Sequence, residues 1–174
     1  MLRDFDLLVT TSRGNEENTC YEFRYLLEKV GISEMEINQT GISGLIVIRT
    51  RVDPFKIVER LREILWEKPY HFRYTLRIIP IEKTVGTDLE NIRRTASQLA
   101  SKIVEKETFR ITVEKRLTEL HRREIIEAVA ANIERDVDLE KPDKILLIEV
   151  LDKLTGISVI EKKDIISVVK EKMQ

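Results

Sequence analysis

Few side chains in this sequence have the type and spacing for chemistry. Its histidines, His71 and His121, fall in different halves, and neither has a companion at metal-ligand spacing. The single cysteine, Cys20, excludes an internal disulfide and any cysteine-based zinc site. Cys20 lies near the start of an expected helix, where a thiol pKa can fall. No histidine is near it, so it reads as a small packed residue. There is no GxxxxGK(S/T) loop and no GxGxxG turn to hold phosphates or a dinucleotide. Acetyl-CoA and ATP therefore have no obvious seat, and the expectation is a chain with no cofactor, no metal and no catalytic residue. The pattern that remains is cationic: Lys115, Arg116, Arg122 and Arg123 cluster, with Arg110 just before them and Lys141, Lys144 and Lys153 after. Arginine offers a planar fork for two phosphate oxygens, and a helix start adds unpaired N–H groups with the positive end of a dipole.

The elements that position these cations run from Phe109 to Ile160 in the order strand, helix, strand, strand. Phe109, Ile111 and Val113 alternate with Arg110, Thr112 and Glu114, the period of a half-buried strand. Leu120, Ile125, Ile126, Val129, Ala130 and Ile133 follow at helical spacing, with Arg122, Arg123, Glu124 and Glu127 on the outer face. The stretch from Lys144 to Leu151 is too apolar for a solvated face and short enough for a central strand. Asp152-Lys153 turns it into a second short strand, Leu154 to Ile160. Lys115 and Arg116 then sit at a strand end, Arg122 and Arg123 at a helix start, and Lys141, Lys144 and Lys153 in loops flanking the central strand. These residues equally fit an ordinary solvated face, with Glu119, Glu124 and Glu140 pairing the bases.

Ahead of this stretch, residues up to 80 form their own pattern. A strand at Phe5–Thr10 leads to a helix at Glu16–Val30 that stops at Gly31. Strands at Met35–Asn38 and Leu45–Thr50 follow, then a helix started by Asp53-Pro54, with Phe55, Val58, Leu61 and Leu65 on one stripe. His71 to Ile79 alternates, placing Phe72, Tyr74, Leu76 and Ile78 on one face and Arg73 and Arg77 on the other. The order β-α-β-β-α-β is a ferredoxin-like arrangement. Trp66, Phe55, Phe23 and Tyr25 read as core or half-core, and Arg49, Arg51, Arg73 and Arg77 as facing solvent or the second domain, with an extension of the cationic patch as the alternative. Pro80 ends the unit, a helix capped near Thr87-Asp88 runs to about Glu105, and Lys162–Lys172 reads as a short helix. The fold class is α+β in two domains, 1–80 and 81–174, the second with its core at 109–160.

Composition narrows the class of partner only slightly. Lys plus Arg is 30 against Asp plus Glu at 31, so any nucleic-acid partner must be met by a local patch. Charged residues at 35% with a single cysteine follow the trend of thermophile proteins. No apolar run is long enough to cross a membrane and no signal-peptide pattern is present, so a cytoplasmic protein with no membrane partner is expected.

Several pieces together resemble a THUMP domain, the RNA-binding module of tRNA thiouridine synthases, methyltransferases and deaminases. They are Phe109-Arg110 with Val113 and Lys115-Arg116, Arg123-Glu124-Ile125, Val137-Asp138-Leu139, Lys141-Pro142-Asp143 and Ile157-Ser158-Val159. A ferredoxin-like unit before a THUMP unit also matches that family, whose catalytic domain finds no room in 174 residues. Asp6-Leu7-Leu8-Val9-Thr10, Arg13-Gly14-Asn15-Glu16 and Gly44-Leu45-Ile46 look like the THUMP adaptors that work with the RNA cytidine acetyltransferase. The resemblance implies an adaptor, not an enzyme, that holds the 3′ acceptor end of tRNA for N4-acetylcytidine formation. Its RNA contacts would be Arg110, Lys115, Arg116, Arg122, Arg123, Lys141, Lys144 and Lys153. The family often caps the THUMP helix with serine or threonine, where this chain has His121 and Arg122. Service to a thiolation or methylation enzyme is an alternative. So is an enzyme acting on RNA through Asp138, Glu140 and Asp143, although Pro142-Asp143 is turn chemistry. Phe109 is the only aromatic residue of the second domain and alternation turns it inward, so phosphate and shape recognition with little base reading is expected.

Overall fold

The computed structural model describes residues 2–174 and divides into two compact units. One comprises Phe5–Ile81 together with Lys163–Gln174. Its elements are β1 (Leu7–Thr11), α1 (Glu16–Lys29), β2 (Glu36–Gln39), β3 (Leu45–Arg49), α2 (Pro54–Glu67) and β4 (Thr75–Pro80). The other holds β5 (Lys83–Gly86), α3 (Leu89–Leu99), β6 (Thr108–Arg116), α4 (Arg122–Ala130), β7 (Asp136–Val137), β8 (Lys144–Leu151) and β9 (Leu154–Ile160). The chain then returns to the first unit through β10 (Ile166–Ser167) and α5 (Val168–Lys172). The fold is α+β, as expected.

In the first unit the β-α-β-β-α-β order stands, with sheet order β10-β4-β1-β3-β2 and every pairing antiparallel. Leu7, Val9, Ile46, Ile48 and Ile78 of the sheet pack on Phe23, Leu26 and Leu27 of α1 and on Ile57, Val58, Leu61 and Leu65 of α2. Asp53 caps α2 by accepting from Phe55 N–H at 2.9 Å, and Pro54 fits the first helical position because it has no N–H to lose. Gly44 must be glycine: its φ is +77°, and a Cβ there would stand 2.7 Å from the Thr11 carbonyl oxygen. The Glu16 carboxylate accepts from the N–H groups of both Gly14 and Gly44, which holds its pKa below the usual range and ties two turns together.

Three expectations for this unit are corrected. The last strand begins at Thr75, not His71, because the Glu22 carboxylate takes the N–H groups of Arg73, Tyr74 and Thr75 and holds Arg73 and Tyr74 out of the sheet. Thr75 is consequently buried and Leu76 exposed, the reverse of simple alternation. Trp66 and Tyr25 lie on the surface, 63% and 41% exposed, whereas Phe23 is buried. Finally, Lys163–Gln174 belongs here and not with Glu82–Lys162, and only Val168–Lys172 is helical. Ile166 and Ser167 pair with Ile78 and Arg77, and Arg62 of α2 binds Glu171 at 2.7 Å.

The second unit has sheet order β5-β9-β8-β6-β7, with β6 parallel to both β8 and β7 and the rest antiparallel. Strand β8 is central and buried along nearly its whole length, which is why its sequence lacks alternation. Phe109, Val113, Leu146, Ile148, Val150, Ile157 and Val159 pack against Ile92 and Ala96 of α3 and Ile125 and Val129 of α4. Helix α3 is capped by Asp88, which accepts from Asn91 N–H at 3.0 Å, and ends at Leu99. Strands β5 and β7, short and without an apolar run, were not expected.

Candidate nucleic-acid interface

The parallel register of β6 on β8 sorts the expected cations into two groups. Phe109 lies opposite Lys144 and Arg116 opposite Leu151. Arg110 and Lys144, with Lys141 in the loop before β8, mark the start of the strand pair, while Lys115 and Arg116 mark its finish, with Lys153 in the turn after β8. From Arg110 to Arg116, at about 3.3 Å per residue, the groups stand roughly 20 Å apart. They do not form one patch.

At the finish of the strands, the loop from β6 to α4 and the β8–β9 turn meet. Asp152 N–H donates to the Arg116 carbonyl at 2.9 Å, which brings Lys153 beside the end of β6. Leu117 and Asp152, at φ +55° and +54°, both adopt the left-handed conformation; aspartate tolerates it, but leucine is strained there. Leu117 is exposed, so no core contact explains that conformation. Arg122 folds back so that its Nε donates to the Val113 carbonyl at 3.1 Å, placing its guanidinium over β6. His121 is the cap of α4, and Glu124 reaches back to accept its N–H at 2.7 Å. The nearby hydroxyl, Thr118, instead accepts from Leu120 N–H inside the loop. The first N–H groups of α4 have no intrahelical acceptor; exposed Arg122 is the first residue of that helix, and a short loop joins it to the end of β6, where Lys115 is exposed.

The members of this group differ in freedom. Lys115 and Lys153 are exposed, and among the described residues no carboxylate pairs with either ammonium. Arg123 is exposed but bound to Glu127 at 2.8 Å, a hydrogen bond that raises its pKa. Arg116 stands apart: its Nη1 donates to Glu149 Oε2 at 2.9 Å, and Glu149 is only 1% exposed. A carboxylate that far from water requires a charged partner, so Arg116 serves the interior first. Glu149 was missed, yet a lone acid in the apolar run of β8 was the signal that some base must reach it.

At the start of the strands every cation but one is occupied. Arg110 donates to the Leu139 carbonyl at 2.8 Å. Lys144 is held between Glu107 and Glu161, and the Glu107 hydrogen bond raises its pKa while depressing that of Glu107. Lys141 is the member of this group that extends into solvent; its backbone N–H joins that of Glu140 in binding the Asp138 carboxylate, which lowers the Asp138 pKa. Asp143 accepts from the Thr108 N–H and hydroxyl. Asp138 and Asp143 are thus engaged as turn-formers, and among the described residues no three His, Cys, Asp or Glu side chains gather where a metal could sit. Burial, followed by Glu17, pushes the Cys20 thiol pKa up, the opposite of an activated nucleophile.

Comparison with known proteins now places the strand pair and its flanking helices. The model of the THUMP domain matches residues 86–160. This part of the chain is a THUMP domain. The THUMP domain is an RNA-binding module. No curated protein matches the chain. Among solved structures, PH1313 from Pyrococcus horikoshii Ot3 superposes with a TM-score of 0.69 at 20% identity, over 94% of this chain and 55% of that one. A 4-thiouridine synthetase in complex with RNA and ATP gives 0.56 at 15% identity, over 94% and 42%. TrmN from Thermus thermophilus gives 0.53 at 13% identity, over 88% and 44%. At these identities the likeness is one of fold, and the chain spans about half the length of the proteins it matches. None of the helices described is long and apolar enough to cross a membrane.

Proposed function

We propose that the protein is a non-catalytic tRNA-binding adaptor. It holds the 3′ acceptor end at the finish of the β6–β8 pair and presents a distant nucleotide to a separate RNA cytidine acetyltransferase in the cytoplasm. The observation that supports this most is the company of the α4 N-terminus: solvent-facing Lys115 and Lys153 with Arg122, inside the stretch that matches the THUMP domain. Free ammonium groups and open N–H groups suit a sugar-phosphate chain without reading its sequence. The contribution to catalysis is positioning, which raises the effective concentration of substrate at the partner's active site. Likeness in fold to a 4-thiouridine synthetase–RNA complex favours a second reading, in which the partner is a thiolation or methylation enzyme.

The test has two arms. Affinity is measured for intact tRNA and for the same tRNA lacking its 3′ CCA; a loss of tenfold or more on trimming supports the acceptor-end reading, and equal affinity contradicts it. Acetylation of tRNA by an RNA cytidine acetyltransferase is then measured with and without this protein. Stimulation supports the adaptor role, while modification of tRNA by the protein alone would make it an enzyme.

A further inference from the structure

The aromatic residues of this chain are segregated. Phe109, buried, is the only one in Glu82–Lys162, and all others belong to the first unit. Several of those are on its surface and adjoin one another. Tyr21, Tyr25 and Lys29 occur at successive i, i+4 positions of α1 and share a face, their Cβ atoms about 5–6 Å apart at each step. Tyr21 is 68% exposed and Tyr25 41%. Lys29 Nζ lies 5.3 Å above the Tyr25 ring. From the short 3-10 turn Pro69–His71, His71 contacts both Tyr25, at 5.1 Å between ring centres, and Tyr70, at 4.7 Å; Tyr70 is 65% exposed. The rings are tilted by 46° and 44°, so the three are not stacked face to face.

At its Tyr21 end the group opens into a cleft of about 350 Å³ between α1 and β2. Arg24, Asn38 and Gln39 line it together with Glu17. Side-chain amides carry both donors and acceptors, the complement of a base edge. Strand β2 is an edge strand, so its outer side also leaves backbone groups free.

We propose that this stripe is a stacking site for unpaired nucleotides of RNA, with Tyr21 and Tyr70 taking base faces, Tyr25 holding Lys29 between them, Lys29 and Arg24 meeting the phosphates, and the cleft admitting one base. Exposed rings interleaved with cations are how single strands are held without strict sequence choice. The mostly exposed rings of Tyr21 and Tyr70, with Lys29 and Arg24 on the same helix as Tyr21, favour RNA over a protein partner. This inference rests on the RNA-binding reading above and adds the unpaired segment that the aromatic-free THUMP surface cannot stack.

The test uses the full chain and two RNAs, a hairpin with a single-stranded 3′ overhang and the same hairpin made blunt. Tyr21→Ala with Tyr70→Ala is expected to weaken overhang binding by about tenfold or more, to leave blunt-hairpin affinity within twofold, and to leave the salt dependence unchanged, because stacking releases no counterions. Phenylalanine at both positions restores binding, since stacking needs only the ring. The single Tyr70→Ala variant, whose side chain is mostly in solvent, gives the same direction should the double variant fold poorly. Unchanged overhang affinity, or equal loss on both RNAs, overturns the stacking site while RNA binding stands. If the variants bind both RNAs normally but no longer stimulate the enzyme partner, the stripe is a protein-binding surface and the proposal falls. If the wild-type chain binds neither RNA, this proposal and the adaptor reading fall together.

Discussion

At the start of the β6–β8 pair, Arg110 is held by the Leu139 carbonyl and Lys144 by Glu107 and Glu161; at its finish, Lys115 and Lys153 extend into solvent beside a helix N-terminus. Both ends carry several basic residues, three at the start and five at the finish, so the presence of basic charge alone does not single one out. What differs is whether a carboxylate or carbonyl is already in reach. A cation in a salt bridge must give up that partner to meet a phosphate, which cancels much of the gain. The free end is therefore the candidate for RNA, while the occupied end fixes the loop before β8.

Arg116 tests this distinction most severely, because it belongs by position to the free end and by bonding to the interior. Arg116→Leu removes the guanidinium hydrogen bond from the buried Glu149 carboxylate and is expected to cost about 1.5–3 kcal/mol, seen as a lowered urea midpoint. Adding Glu149→Leu should recover part of that loss, since an apolar pair is tolerated where a weakened buried carboxylate is not. If the single variant is as stable as wild type, Arg116 is a surface residue after all and rejoins the RNA-contacting group. A smaller effect is expected at the occupied end. Arg110→Ala removes one hydrogen bond to Leu139, about 0.5–1.5 kcal/mol of stability, and should leave tRNA affinity within twofold; a tenfold loss of affinity would erase the contrast between the ends.

The mildest effect concerns pH. The depressed pKa of Glu107 means its contribution to stability is complete above the ordinary glutamate range and disappears as pH falls through the depressed value. Lys144, raised, contributes fully below the ordinary lysine range and loses its contribution as pH rises through its higher pKa. The pair should therefore hold unchanged across neutral pH. A carboxyl titration of Glu107 by NMR is expected to fall below the usual midpoint; a normal midpoint would mean Lys144 is not committed.

Periodicity made most of this fold legible: β6, α4, β8 and β9, and the β-α-β-β-α-β order before them, each follow from local apolar spacing. What escaped depended on distant partners. Strand β10 exists because Ile166 meets Ile78, and β5 because Lys83–Gly86 meets Leu154–Ile157; neither segment has a strand-like pattern of its own. The shifted start of β4 was set by Glu22, some fifty residues earlier. In the candidate site the residue types and their place near strand ends were readable, but their split between opposite ends of β6–β8 required the register. Which bases carry acidic partners was equally hidden, with Glu149 the clearest case. The tyrosines were hidden by habit, since aromatic residues are usually core; the i, i+4, i+8 spacing of Tyr21, Tyr25 and Lys29, offset from buried Phe23 and Leu27, was the available clue.

The contrast between the two ends is tested most directly by tRNA affinity across a series of salt concentrations for Lys115→Glu with Lys153→Glu, set against Lys141→Glu. The first variant should bind more weakly and flatten the plot of log affinity against log salt by somewhat under ~1 for each phosphate it no longer neutralises, while Lys141→Glu follows wild type. Equal slopes for wild type and both variants, or a larger change from Lys141→Glu, would contradict the assignment of the phosphate grip to the finish of the β6–β8 pair.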